Sequence, residues 1–269
     1  GQGDCAVLTT YDHRAMVIDG GGKYNKALGE NTGVTILEPY LASKGVTQID
    51  AVFLSHLDSD HCMGILELLD DMPVEGVYVS AMEAVDGQME KQLQEIMEKN
   101  QISLYTMKHG DMIRSAAFGE MKCLFPIYVD QTAESENERS LVLRYVYSDT
   151  SVLFTGDLEA KQESLLERNN LIEETDILKV SHHGSKTASA EAFLQALSPE
   201  TAVISCGANN LYGHPHQEVL ERLSACGAEI LRTDEMGSVV VNIPPEGTAE
   251  VTAAAERKPT CDRSKEAME

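Results

Sequence analysis

The sequence predicts an α/β fold in which two similar halves pack their sheets face to face, with helices on the outside. Three observations support this prediction. Short apolar runs rich in β-branched residues recur along the chain, helical patterns separate several of them, and their order is similar in the two halves. The first half reads strand, strand, helix, strand, helix, and the second half reads strand, strand, helix, strand, helix, strand.

Each predicted strand is a short apolar run of the kind that pairs in a buried sheet. The predicted strands are residues 5–10, 14–19, 50–55, 75–80, 121–126, 140–147, 151–156, 176–181, 201–206, 228–233 and 238–243. Helical spacing and end signals predict three helices between them. They are residues 32–45, with a threonine cap and a closing glycine, residues 87–100, and residues 216–227.

The chain has 269 residues, 42% of them apolar, which is enough to bury the core of one large domain. No linker rich in Pro, Gly or Ser interrupts residues 1–243, and we predict that they form one domain. Residues 244–269 shift towards Ala, Glu, Lys and Pro and are predicted to be a disordered tail. No run approaches the ~20 apolar residues of a membrane-spanning helix, so we expect no insertion of this domain into lipid.

The formal net charge of −23 argues against a broad basic surface for phosphates. Contact with a nucleic acid would then depend on bound cations, a neighbouring domain or local patches, for which Lys179, Lys186 and Arg232 are the candidates. The six cysteines show no C-x-x-C spacing, and five lie in or beside apolar stretches. We therefore expect free thiols and no structural disulfide.

The densest polar cluster is the stretch SHLDSDH, which directly follows a predicted strand. Packing gains nothing from two imidazoles and two carboxylates within six residues. His and Asp are natural ligands of a divalent cation, so the cluster predicts a metal site. Its members are His56, Asp58, Asp60 and His61.

Other polar residues also follow predicted strands. Asp19, Asp157 and the pair His182–His183 each come at a strand end, and His214 lies in a later loop. Taken alone, a strand-end aspartate more often serves as a turn or cap residue, and the HHGS stretch fits a solvated loop equally well. Five loops that offer metal-ligand chemistry along one sheet edge are nevertheless expected to converge.

These motifs resemble a known family. SHLDSDH is similar to the H-x-H-x-D-H signature of the metallo-β-lactamase superfamily, with Asp58 where the second histidine usually stands. GQGDC…VIDGG, TGD, SHHGS and YGHP occur in the order and approximate spacing of the hydrolase domain of the ComEC family of bacterial competence proteins. The stretches at residues 37–45 and 137–143 resemble that branch too, and the resemblance covers residues 1 to about 243.

The resemblance implies an αβ/βα four-layer sandwich, the metallo-β-lactamase fold, with two divalent ions at its upper edge. It also implies a phosphodiesterase, a deoxyribonuclease that degrades the DNA strand that is not taken up. In this scheme Asp60, His61 and His182 hold one ion. His56 and Asp58 hold the other, and Asp157 bridges the two.

The same scheme assigns catalytic roles. His214, with His183 and Lys179, would bind or protonate the departing oxygen and the phosphate, and Asp60 is counted among the catalytic residues.

The chain departs from a three-imidazole site of the lactamase type. Such a site needs a histidine at the Asp58 position and another before TGD, for which His109 is the only candidate. His109 lies in a sequence typical of a turn before a strand. An oxygen-rich shell suits Mn²⁺ or Mg²⁺, although the general order of affinity favours Zn²⁺, and we expect manganese.

Three classes of function remain open at this point. The first is a phosphodiesterase acting on DNA, single-stranded in particular. The second is a hydrolase acting on a cell-envelope phosphodiester, a thioester or a lactam, and the third is a non-catalytic metal-binding module. The resemblance places the domain on the extracytoplasmic face of the cell membrane, with the membrane channel portion of the same protein and the DNA-uptake machinery as partners.

Overall fold

This computed structural model describes residues 2–22, 33–85, 87–130 and 133–254. Within these residues, the strands form two large sheets and a small hairpin. The strands are β1 Ala6–Thr9, β2 Ala15–Ile18, β3 Ala51–Phe53, β4 Gly76–Ser80, β5 Ser103–Met107, β6 Met112–Ser115, β7 Gly119–Phe125, β8 Val142–Tyr147, β9 Thr150–Phe154, β10 Ile177–Lys179, β11 Thr201–Ile204, β12 Glu229–Arg232, β13 Val239–Asn242 and β14 Glu250–Ala253. The helices are α1 Glu38–Ser43, α2 Ser59–Asp71, α3 Gly87–Asn100, α4 Ala160–Arg168, α5 Glu191–Leu197, α6 Gln217–Ala225 and α7 Thr233–Met236.

In both large sheets, the strands that come first in the chain pair antiparallel and the later ones pair parallel. The first sheet has the order β1-β2-β3-β4-β5, in which β1 is antiparallel to β2 and the later strands are parallel. The second has the order β12-β11-β10-β9-β8-β7-β6, with β6 to β9 antiparallel and β9 to β12 parallel. Parallel neighbours need long crossovers, and these are the helices of each half.

The two sheets pack against each other, and helices cover their outer faces. In β2, Ala15 and Val17 face the helical side, whereas Met16 and Ile18 face the second sheet, as the two-residue period of a strand requires. Helices α1 to α3 cover the first sheet and α4 to α6 cover the second. The predicted four-layer sandwich is confirmed.

Each predicted strand overlaps an observed strand, and the three predicted helices appear as a helical segment Gly33–Leu37 running into α1, as α3, and as α6. The prediction omitted β5, β6 and β14 among the strands, and α2, α4, α5 and α7 among the helices. In β5 every residue except Met107 is exposed, so the strand lacks the apolar alternation that identifies a strand in a sequence.

The chain after residue 243 contains one ordered element. Strand β14 pairs antiparallel with β13, so the predicted boundary lies between the two strands of a hairpin. Val251 packs against the layer between the sheets, and Ala253 is buried. Residues 255–269, the rest of the predicted tail, lie outside the described residues.

The cysteines at positions 5, 62, 123, 206 and 226 are free thiols, and Cys261 lies outside the described residues. Within the described ranges, no helix combines the length and the apolar character that crossing a membrane requires.

Candidate metal centre

Side chains that follow four of the parallel strands meet at one edge of the sandwich. They are Asp19 after β2, His56 after β3, Asp157 after β9 and His183 after β10. Because the carboxyl ends of parallel strands share an edge, residues far apart in the sequence become neighbours there. The predicted convergence is therefore observed.

Asp4 joins this edge from the start of the chain. Strand β1 is antiparallel to β2 and pairs Ala6 with Ile18, so the residues before β1 lie beside those after β2. The Asp4 carbonyl accepts a hydrogen bond from the Gly21 amide at 2.6 Å. Sequence reasoning did not include Asp4 in the site, although the antiparallel hairpin and the GQGDC motif were available signals.

Helix α2 carries Asp60 and His61 of the SHLDSDH cluster, which the sequence analysis placed in a loop. Asp58 precedes the helix with an extended backbone, and its carbonyl accepts hydrogen bonds from the His61 and Cys62 amides at 2.9 and 3.0 Å. Asp60 and His61 are therefore in the first helical turn. The helix lies close to the segment after β2, since a Cβ added at Gly64 would be 2.1 Å from the Gly20 carbonyl oxygen.

His61 is held by a carboxylate on its far side. Its Nδ1 lies 2.9 Å from Asp19 Oδ2, and Asp19 also accepts hydrogen bonds from the Ser55 amide and hydroxyl. This contact leaves Nε2 directed at Asp157 Oδ1, 3.2 Å away. Burial lowers the pKa of His61, but the charges of Asp157 and Asp19 outweigh it and hold that pKa well above its usual value.

His183 reaches the same space from a strained turn. His182 and His183 both have left-handed backbones, with φ of 49° and 52°, a conformation that costs energy in a residue other than glycine. The His183 Nδ1 lies 2.9 Å from the Ser205 carbonyl, and its Nε2 lies 3.3 Å from Asp60 Oδ2. Burial lowers the pKa of His183, but the nearby Asp4 charge and its neighbours raise it to about 10.

Asp157 stands between the first half of the site, which is His56 and His61, and the second half, which is His183. Its Oδ2 lies 3.5 Å from His183 Nε2, and its amide donates to Ser140 Oγ at 3.1 Å. Ser140 Oγ is also 3.4 Å from His56 Nδ1. Burial raises the pKa of Asp157, but the charge and contact of His61 lower it well below its usual value. The carboxylate is therefore ionised at neutral pH.

The donor atoms of this edge fit a divalent cation. Five buried side-chain atoms form no hydrogen bond of normal geometry, although His61 Nε2 and Asp157 Oδ1 lie within ion-pair distance of each other. Leaving such atoms without a hydrogen bond is costly unless something else binds them. They are Asp4 Oδ1, His56 Nε2, His61 Nε2, Asp157 Oδ1 and His183 Nε2. Overlapping triads of donors lie within 4.8 Å of one another, namely His56–His61–Asp157, Asp60–His61–His183 and Asp4–Asp157–His183.

The structure brings together most of the predicted ligands but groups them differently. His183 lies next to Asp60 and His61, the position predicted for His182. His182 Nε2 is 3.7 Å from Asp157 Oδ2, and Asp58 is half-exposed with its Oδ2 3.6 Å from His56 Nε2. Neither His182 nor Asp58 belongs to a donor triad among the residues that the structure describes.

Lys179 contacts one of the carboxylates of the site. Its amine forms an ion pair with Asp4 Oδ2 at 2.5 Å and donates to the Val180 carbonyl at 2.9 Å. Burial opposes ionisation of Asp4, but the Lys179 charge lowers the pKa of that carboxyl well below its usual range. Lys179 therefore orients Asp4, where the sequence analysis predicted contact with the substrate phosphate.

His214 lies at the mouth of the site. Its ring centroid is 5.7 Å from that of His182, and its Nδ1 is 3.4 Å from Gln2 Nε2. Burial and the charges of the neighbouring histidines lower the pKa of His214 to about 4. It is therefore a neutral imidazole at neutral pH. His109 lies in a turn ahead of β6, as predicted.

Comparison with known proteins relates the chain to a family of metal-binding proteins. The family model described as the metallo-beta-lactamase superfamily matches residues 1–208. The chain is 34% identical to ComE operon protein 3 of Bacillus subtilis, over 94% of this chain and 34% of that protein. It is 32% identical to competence protein ComA of Neisseria gonorrhoeae, over 89% of this chain and 30% of that protein.

A third relative is recombination protein 2 of Haemophilus influenzae, 30% identical over 90% of this chain and 28% of that protein. The chain thus spans about a third of the length of these relatives. The resemblance inferred from the motifs is confirmed by these matches.

Solved structures share the architecture at low identity. A metallo hydrolase from the archaeon Ignicoccus hospitalis has a TM-score of 0.50 and 14% identity, covering 93% of this chain and 99% of that chain. CmlA, a diiron β-hydroxylase from Streptomyces venezuelae, has a TM-score of 0.50 and 11% identity, covering 86% of this chain and 53% of that chain. These likenesses show the fold alone.

Proposed function

Since the chain belongs to the metallo-β-lactamase superfamily, whose members include metal-dependent hydrolases, we propose that it is a divalent-metal-dependent phosphodiesterase acting on DNA. Single strands are the proposed substrate. The observation that carries the proposal is the convergence, at the edge of the sandwich, of five buried donor atoms that form no hydrogen bond. Such a group of donors is characteristic of a metal site and has no evident role in packing.

The residues that would hold two ions are three imidazoles and three carboxylates. They are His56, His61, His183, Asp4, Asp60 and Asp157. When bound, divalent ions would activate a water molecule and neutralise the charge that develops on the phosphoryl oxygens. The equal share of oxygen donors supports Mn²⁺ as the native ion, with Zn²⁺ as the alternative.

The protein's own groups would prepare the site for this chemistry. The Asp19 carboxylate fixes the tautomer of His61, and the Ser205 carbonyl does the same for His183. Lys179 turns one oxygen of Asp4 away and leaves Oδ1 directed inward. The neutral His214 at the mouth would form a hydrogen bond to the phosphate or the departing oxygen, and its low pKa makes it a poor proton donor at neutral pH.

The relatives support DNA as the substrate. Proteins named for competence and recombination match most of this chain, which covers about a third of their length. We propose that the domain degrades the strand that is not taken up, on the extracytoplasmic face of the cell membrane. Its proposed partners there are the membrane channel portion of the same protein and the DNA-uptake machinery.

A substrate panel tests the proposal. The full chain, stripped with a chelator and reloaded with Mn²⁺ or Zn²⁺, is assayed on single-stranded DNA, duplex DNA, an aryl phosphodiester and a chromogenic lactam. We expect Mn²⁺-dependent release of nucleotides from single-stranded DNA and slower hydrolysis of the aryl ester. The matched control is His13→Ala, an exposed histidine on the β1–β2 turn at the opposite end of the first sheet.

Two results would overturn the proposal. Turnover of the lactam without cleavage of any phosphodiester would assign the site to another hydrolase class. Metal binding without turnover of any substrate in the panel would leave a metal-binding module.

A further inference from the structure

The loop between β11 and α6 carries two exposed apolar side chains beside the candidate metal centre. Leu211 is 94% exposed and Tyr212 is 61% exposed. The rings of Tyr212 and His214 are nearly parallel, with centroids 5.6 Å apart and 25° between their planes. His214 in turn lies 5.7 Å from His182, so a row of rings leads from solvent to the site.

The Asn210 side chain helps to hold this loop in place. Asn210 Oδ1 accepts hydrogen bonds from the amides of Tyr212 and His214 at 3.1 and 3.0 Å. Its Nδ2 donates to the Gly207 carbonyl at 3.0 Å. The backbone that carries the Tyr212 ring is therefore ordered before any ligand arrives, which lowers the entropy cost of using the ring for binding.

Charge offers little attraction for a polyanion near the mouth. Lys179 is paired with Asp4, and Arg232 is paired with Asp234 and Glu235. Of the three cations predicted to contact phosphates, only Lys186 has no acidic partner within the described part of the chain. A chain of net charge −23 therefore needs a source of affinity for DNA besides phosphate contacts.

We propose that Tyr212 is a stacking platform for a nucleobase of single-stranded DNA whose phosphodiester lies at the metal centre. The proposal rests on the proposed function and adds a base-binding position to it. Every base has a π-face, so such a platform tolerates any sequence but needs an unpaired base. A duplex keeps its base faces covered, and the platform would then favour single strands.

The test pairs a protein change with a substrate change. Wild type, Tyr212→Ala and Tyr212→Phe are compared on intact single-stranded oligonucleotides and on a series in which one base at a time is replaced by an abasic position. Steady-state kinetics give KM and kcat. Fluorescence anisotropy with a nuclease-resistant phosphorothioate oligonucleotide gives binding without turnover.

For wild type, one abasic position is expected to weaken binding on the order of 10-fold, the scale of one base stacked on an aromatic ring. Tyr212→Ala should show the same loss on the intact oligonucleotide and no further loss at that abasic position. Tyr212→Phe should behave as wild type, and no variant should change the handling of duplex DNA. The matched control is Tyr11→Ala, an 86% exposed tyrosine on the β1–β2 turn.

An alanine variant that remains as sensitive to the abasic position as wild type would overturn the inference. So would a phenylalanine variant as weak as alanine, since that would assign the contact to the hydroxyl. If no DNA were cleaved, the proposed function would fail, while the anisotropy measurement would still decide whether Tyr212 stacks on a base.

Discussion

His61 and His183 reach the same space by different structural routes. His61 lies in the first turn of α2 with ordinary helical geometry, and the Asp19 carboxylate fixes its ring from behind. His183 lies in a turn whose two histidines both have left-handed backbones. Regular secondary structure positions the first histidine, whereas the second depends on its surroundings to hold a strained backbone.

Glu163 of α4 is part of that support. Its carboxylate accepts hydrogen bonds from the Ser189 and Ala190 amides at 2.7 and 2.8 Å, and from the Ser181 hydroxyl at 3.4 Å. It therefore holds both ends of the turn that carries His182 and His183. We therefore expect the position of His183 to be more easily disturbed by substitutions than that of His61.

Asp157→Asn should have the largest effect, because Asp157 contacts both His61 and His183. The change keeps the size of the side chain and removes the charge that both halves share. We expect hydrolysis to fall by about 10⁴-fold, the scale seen when a member of a cooperating catalytic group is removed. Steady-state rates on single-stranded DNA measure it.

The control is Asp149→Asn, an exposed aspartate on the turn between β8 and β9. It should leave both the rate and the circular dichroism spectrum unchanged. A near-normal rate in Asp157→Asn would contradict the shared role and require each half to act alone.

Glu163→Gln should alter the pH dependence of stability. Burial raises the pKa of Glu163 to about 7 from an ordinary value of 4.5. Between these pH values the folded protein binds more protons than the unfolded chain, so this group's contribution to stability is fully present below pH 4.5 and is lost as pH rises through 7. The free energy of unfolding falls by about 3 kcal/mol between pH 4.5 and pH 7.

Denaturant unfolding of wild type and variant across this pH range measures the difference. Glutamine does not titrate, so the stability of wild type relative to the variant should fall as pH rises. Amide exchange in the variant should rise at residues 181–190 more than at residues 58–62. Parallel stability curves would show that Glu163 has the same pKa in both states.

Asp19→Asn should weaken only the first half of the site. An amide nitrogen facing His61 Nδ1 would no longer fix the tautomer that directs Nε2 inward. Loss of such an orienting partner typically lowers metal affinity or activity 10- to 100-fold, and we expect about that range. Titration with Mn²⁺ measures it, with Asp50→Asn, the partner of Arg14 before β3, as the control. Unchanged affinity in Asp19→Asn would mean that helix α2 alone positions His61.

Asp58→His should have the smallest effect. Asp58 is half-exposed, and the change introduces the histidine that the H-x-H-x-D-H signature carries there. We expect the free energy of unfolding to change by no more than about 0.5 kcal/mol, as for other surface substitutions. The ratio of Zn²⁺ to Mn²⁺ affinity should rise because the change introduces an additional imidazole beside His56. A fall in that ratio would contradict the explanation based on ligand type.

Much of the site could be predicted from the sequence because its residues stand at strand ends. His56, Asp60, His61 and Asp157 were predicted on that basis, and the structure brings them together. The choice between His182 and His183 could not be predicted, because adjacent residues point in different directions according to backbone angles that a sequence does not reveal. The pairing of Lys179 with Asp4 could not be predicted for a similar reason, since Asp4 comes from the other sheet.

The sequence by itself determined the four layers, since apolar periodicity and strand order depend on local composition and on few allowed topologies. It also determined the chemical type of the site, because the density of His and Asp has no other use at a strand end. Only the tertiary structure decided which donors share a triad, how Asp4 enters from the first hairpin, and where Tyr212 stands relative to His214. These features depend on distances between segments far apart in the chain, and such distances are set by the packing of whole sheets.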